Sequence, residues 1–254
     1  MTFRKFRIYL LLLNLVLVAS ITYWESALVR SWLRPLEVSI YAVNGDGSDA
    51  SAAYIAQLTD ETFGEIATFI DDQAPRHRLK KIHRTRIKMI GEIKQAPPAP
   101  PSGERGVVSA LLWSLQMRYY AFRTTPFWEN LGRIRLFVVY HEGEDGKPLQ
   151  HSLGLRKGLV GAVHVFASKE QSAQNNIVIT HELLHTLGAS DKYDVQGQPV
   201  FPDGFTDPDE GERYPQHSAE IMAGRIAVRP DRAIIPANLE ACAMGSKTAY
   251  EIGW

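Results

Sequence analysis

Four residues within a run of eleven have the types and spacing of a metal site: His181, Glu182, His185 and Asp191, in His181-Glu-Leu-Leu-His185-Thr-Leu-Gly188-Ala-Ser-Asp191. Residues four apart share one face of a helix, so His181 and His185 can present two imidazoles to a single ion. Glu182 is one step round the helix from His181, displaced from that pair. It suits a general base acting on metal-bound water better than a ligand. Catalytic zinc takes three protein ligands and keeps a fourth position for water. Gly188 stands where the helix would end with a positive φ, turning the chain back beneath the metal. Asp191 would then supply a carboxylate oxygen as the third ligand. Glu210, Glu212 and Glu220 are the other acidic candidates for that role, and the Gly188–Asp191 spacing argues against them.

A site of this kind needs a buried helix and a sheet to hold it. Ile177, Val178, Ile179, Leu183, Leu184 and Leu187 are the apolar backing of the helix, which starts near Ala173. Upstream, Leu36–Val43 alternates and is rich in β-formers, and Asn44-Gly45-Asp46-Gly47 ends it as a turn. Ser48 to about Asp72 carries apolar residues at mostly three- to five-residue steps, which predicts one amphipathic helix capped by Ser48 or Asp49. Thr85–Met89 alternates as a half-exposed strand, Val107–Phe122 is helical, and Arg133–Tyr140 and Gly158–Ala167 are strands. The prolines at 97, 98, 100 and 101 make 95–105 a stiff, extended insertion loop. These elements predict an α/β (α+β) domain over 36–254. His164 lies on the last strand, read as an edge able to pair with an extended peptide.

Bulk properties set the outer bounds. The chain has 254 residues, 45% of them apolar and 22% charged, enough for one large domain with a core. Its formal net charge is zero, so no global field draws it to nucleic acid. The single Cys242 excludes an intrachain disulfide and a Cys-rich zinc ribbon. Seven Lys or Arg residues fall between Arg76 and Lys88, and a solvated helix end running into an edge strand accounts for them. Residues 1–7 are a basic tail, and the uncharged run Ile8–Trp24 would cover roughly 25 Å as a helix. This predicts a transmembrane signal-anchor with a cytoplasmic N-terminus, a connector at 25–35, and a domain exported across a bacterial-type cytoplasmic membrane. The alternative is a cleaved signal peptide and a secreted protein, with Val18-Ala19-Ser20 as the cleavage region.

The run HExxHxxGxxD resembles the long motif of the metzincin clan of zinc metallopeptidases, whose last position is His or Asp. Its Asp form is similar to that of snapalysin-type and immune-inhibitor-A-type enzymes, and Asp191-Lys-Tyr-Asp194 is similar to the latter. Ser218-Ala-Glu-Ile-Met222-Ala-Gly224 resembles the clan's Met-turn, with Met222 beneath the metal. The resemblance implies a twisted, mostly parallel sheet packed on helices that include the zinc-binding one. It also implies a zinc-dependent endopeptidase acting on a protein or peptide substrate, with one Zn2+ held by His181, His185 and Asp191. Several metzincins carry a carbonyl-holding tyrosine two residues after the methionine, where this chain has Gly224. Tyr193, Tyr214 and His217 are the possible substrate contacts in its place. Asp194, Asp203, Asp207 and Asp209 raise structural Ca2+, although their spacing does not match an EF-hand loop. Three alternatives stay open: a membrane-tethered, non-catalytic scaffold on the same fold, a gluzincin-type hydrolase with a downstream Glu ligand, and a zinc hydrolase of non-peptide amides. Substrate identity and oligomeric state leave no mark in the sequence.

Overall fold

The computed structural model describes residues 3–77, 84–99, 107–126, 132–143, 153–154, 159–209 and 211–254. Three strands form the centre: β1 (Glu37–Asn44), β3 (Ile134–His141) and β5 (Val160–Phe166). They are runs of branched and aromatic residues buried along nearly their whole length. A strand of that composition needs cover on both faces, which is the condition of a parallel sheet. The sheet order is β2-β1-β3-β5-β4, with β2 spanning Arg86–Glu92 and β4 spanning Leu153–Gly154. All neighbours are parallel except β4, which runs antiparallel to β5. The strand at Gly158–Ala167 is therefore not an edge. β5 is enclosed between β3 and β4, and the edge on that side belongs to β4.

Side chains alternate across this sheet and divide the core in two. On one face Tyr41, Val43, Phe137, Val139, Val160 and Ala162 meet Met117, Tyr120 and Ala121 of α4 (Val107–Thr124). On the other, Ile40, Leu136, Val138 and Val163 pack under α3 (Gly64–Gln73) and α5 (Ser172–Leu187). The described part of the Pro-rich loop is pinned to α4, since Tyr120 Oη donates to the Gln95 carbonyl (2.6 Å) and Trp113 Nε1 to that of Pro98 (3.0 Å). Residues 100–106, the rest of that loop, lie outside the described residues, as do 78–83 of the basic segment.

The single helix expected from Ser48 to Asp72 is broken. Ser48 Oγ caps α2 (Asp49–Ile55) by accepting from Ser51 N at 3.1 Å. Thr59 is extended (φ −132°), and a 3-10 turn at Asp60–Phe63 leads into α3. The five-residue step from Leu58 to Phe63 does not fit a 3.6-residue period, and that is where the helix stops and restarts.

At the N-terminus α1 runs without a break from Phe3 to Arg30, past the Trp24 boundary expected from sequence. Ile8, Leu10, Leu11, Leu12, Leu13, Val16, Leu17 and Ile21 are exposed on it. Among the described residues no helix is long and apolar enough to cross a membrane. The expected span therefore finds no support in the fold. Past α1, Trp32 Nε1 donates to the carbonyl of Ile252 (2.9 Å). That bond seats the connector on α6 (Ser246–Ile252), the last helix.

Phe137 carries the contact between α4 and the sheet: its ring stacks on Tyr41 at 5.5 Å and meets Tyr120 edge-on at 4.9 Å, with no exposure of its own. Phe137→Ala should cost about 3–5 kcal/mol in urea unfolding. A loss below about 1 kcal/mol would mean that α4 does not dock there.

Candidate metal centre

Helix α5 is fixed at both ends. Near its start, the Asn175 side chain donates to the Phe166 carbonyl (2.8 Å) and accepts from Phe166 N (3.3 Å), joining the helix to the end of β5. At its end, Gly188 turns the chain with φ 111°, while Gly188 N and Ala189 N donate to the carbonyls of His185 and Leu184, both at 3.0 Å. Leu183, Leu184 and Leu187 are fully buried between these points. The helix is therefore a rigid mount for the face that carries His181 and His185.

The two imidazoles lie 4.7 Å apart, nearly perpendicular at 85°. His181 Nδ1 donates to the Ile221 carbonyl (3.0 Å), and His185 Nδ1 donates to that of Ala189 (2.9 Å). Carbonyl oxygens only accept, so both Nδ1 atoms carry hydrogen and both Nε2 atoms present lone pairs when the rings are neutral. Both Nε2 atoms face one oxygen, Asp191 Oδ1, at 3.0 and 3.1 Å. Three electron-rich atoms so close repel one another unless a proton or a metal ion lies between them. Donors on a tetrahedral zinc, with bonds near 2.0–2.1 Å, sit roughly 3.3 Å apart. The residues present fit that ion.

Burial opposes charge on His181, but the Asp191 hydrogen bond, with help from Glu182 and the Ile221 carbonyl, outweighs it and raises the pKa above the ordinary 6.5. Burial would push the Asp191 carboxyl up, yet the hydrogen bonds from His181 and His185 hold it well below its ordinary value. Glu182 is buried, and its carboxylate lies within 4.8 Å of an imidazole nitrogen of each histidine.

Met222 is fully buried in the turn that follows β6 (Ala219–Glu220). The same turn presents the Ile221 carbonyl to His181. Its organiser is Glu220, whose carboxylate accepts from Met222 N (2.6 Å), Ala223 N (3.0 Å), Gly245 N (3.1 Å) and Thr248 Oγ1 (2.6 Å). Burial pushes the Glu220 carboxyl up despite those donors. By residue type alone Glu220 is a ligand candidate. Its place two residues before Met222, within reach of the turn's N–H groups, was the available sign of its actual part. Of the other acidic candidates, Glu212 is exposed and Glu210 lies outside the described residues.

Tyr193 is the one substrate-contact candidate found beside the site, its ring 6.2 Å from that of His181 at an interplanar angle of 29°. Tyr214 packs instead against Phe205 at 5.6 Å, and His217 is exposed. His164 pairs with His141 (2.9 Å) on the sheet face shared with α4, away from α5. Asp194 Oδ1 closes a turn by accepting from Gln196 N and Gln198 N. Asp194, Asp203, Asp207 and Asp209 form no group of three potential metal ligands among the described residues.

No protein-family model matches the chain, and no curated protein does. Among solved structures, one described as "Structure of a chaperone-substrate complex" is similar at a TM-score of 0.34 and 14% identity, over 85% of this chain. The chain spans 35% of that structure's length, and a likeness so distant carries no argument.

Because protons and metal compete for the same atoms, zinc affinity should fall as pH drops. The raised His181 pKa moves that fall to higher pH than an unperturbed imidazole would give. Chelator competition at several pH values checks this. Asp191→Ala should weaken binding by about a hundredfold or more, and full retention would remove Asp191 from the ligand set.

Proposed function

We propose that this protein is a zinc-dependent endopeptidase of metzincin type, with His181, His185 and Asp191 as ligands. The observation that carries the proposal is the convergence of two Nε2 lone pairs on one Asp191 oxygen, with a buried carboxylate, Glu182, alongside. Zinc bound there would polarise a peptide carbonyl and acidify its water. The chain's own groups do the rest. The Ile221 and Ala189 carbonyls hold both imidazoles in the tautomer that leaves Nε2 free to bind. Glu182 takes the proton of the attacking water and returns it to the leaving amine. Met222 supplies an apolar floor. Tyr193, whose ring lies 6.2 Å from that of His181, is the phenol proposed to meet the substrate carbonyl, the part that Gly224 cannot play. Strand β4, the sheet edge on the β5 side, offers main-chain pairing to an extended peptide.

The decisive variant is Glu182→Gln, which keeps shape and removes the base. It should retain stoichiometric zinc and lose about 10²–10⁴-fold in kcat against a denatured protein substrate. Equal activity of variant and wild type would sink the peptidase reading. A zinc-loaded wild type that cleaves no peptide would point to the non-catalytic scaffold or to a non-peptide amide.

Attachment to a membrane is the second part of the proposal. Apolar side chains exposed along α1 are a surface for lipid, and Arg4, Lys5 and Arg7 suit anionic headgroups at its start. The full chain should sediment with membranes, and protease added to spheroplasts should digest residues 36–254. Recovery in the soluble fraction would remove the tether, and protection of the domain would remove its export.

A further inference from the structure

Asp191 is the one proposed ligand that is not on a helix, and its side chain is 45% exposed. A loop carboxylate in that position needs support from elsewhere. Its two neighbours provide it. The Lys192 side chain is only 4% exposed, and its ammonium donates to the Ser190 carbonyl (2.9 Å), Ser190 Oγ (2.6 Å) and Glu251 Oε2 (2.8 Å). All three of its N–H groups are thereby used. Ser190 N donates to Glu251 Oε2 (2.8 Å), and Ser190 Oγ donates to Glu251 Oε1 (2.8 Å). Lys192 N donates to the Met222 carbonyl (3.0 Å). The backbone on both sides of Asp191 is fixed, and Glu251 is the common acceptor.

Glu251 belongs to α6, which also reaches the other half of the site. Thr248, three residues earlier and so on the same helix face, donates to Glu220. Glu220 in turn shapes the turn whose Ile221 carbonyl orients His181. The helix is held in place from outside the site, where Arg30 Nη2 donates to the Glu251 carbonyl (2.8 Å). Gly188 closes the arrangement: a Cβ there would approach that same carbonyl to 3.3 Å and the Arg30 guanidinium to 3.6 Å.

We infer that α6 is a working part of the metal centre, with Glu251 a positioning residue for Asp191 through Ser190 and Lys192. The inference rests on the metal-site reading above. It adds that ligand geometry is set by the last helix of the chain, more than fifty residues beyond the motif.

Glu251→Gln in the full-length protein tests this, because it keeps the side chain's shape and leaves the Lys192 charge without its partner. Zinc affinity should fall about 10–100-fold, the usual cost of losing an outer support of a ligand. The visible spectrum of the Co2+-loaded protein should change as Asp191 leaves its position. Phe137→Ala serves as the control: it lowers stability but should leave the affinity and spectrum of the folded protein as in wild type. Glu251→Asp should recover part of the affinity. If Glu251→Gln does not fold, Ser190→Ala decides, with an expected weakening of about tenfold. Affinity within twofold of wild type in the folded variant, with an unchanged Co2+ spectrum, would overturn the inference. A wild type that binds neither metal would overturn the metal-site reading itself, which is a separate result.

Discussion

Two imidazole lone pairs that each face the same carboxylate oxygen at about 3 Å need a cation between them. That electrostatic requirement explains more of this structure than any other contact. It follows from the two carbonyls that occupy Nδ1 of His181 and His185. With Nδ1 committed, each ring has only Nε2 to offer, and both Nε2 atoms point at Asp191 Oδ1. A metal ion would answer the requirement at a pH where the rings are neutral, and protons would answer it at lower pH.

Holding these groups together against repulsion takes a stiff surround. The sheet provides it by being covered on both faces, α4 on one side and α3 with α5 on the other. Helix α5 cannot shift without disturbing the core that Leu183, Leu184 and Leu187 share with β3 and β5. Around its far end the support is polar. Glu220 and Lys192 are buried and Glu251 is half-buried, which is costly unless their lone pairs and protons find partners. Here they do find partners, and those partners are the backbone groups that fix the turn and the Asp191 loop. Buried polar networks of this kind favour one arrangement over its near neighbours.

The departures from the sequence reading share one cause. The strand carrying His164 reads as a peptide-binding edge because its alternation is visible locally. Which strand lies outermost depends on β4, a two-residue segment with no signal of its own. The helix expected from Ser48 to Asp72 breaks at Thr59, where backbone conformation overrides a loosely kept period. Glu220 looked like a ligand candidate by type, and its burial among four donors gives it another task. Tyr193 and Tyr214 were equal candidates in sequence, and only packing separates them.

What the sequence determined alone is what a few neighbouring residues encode. The four-residue spacing puts His181 and His185 on one helix face, Glu182 follows one step on, and Gly188 supplies the left-handed turn that returns Asp191 toward them. Most of the order of strands and helices before α5 was legible for the same reason, β4 and the break at Thr59 excepted, since periodicity and turn chemistry are local. Contacts that cross the chain come from packing instead. The Ile221 carbonyl is 40 residues from His181, and Glu251 is 59 residues from Lys192. No spacing rule joins such positions. They meet because the sheet and its helices pack in one way, and hydrogen-bond geometry at about 3 Å tolerates no other.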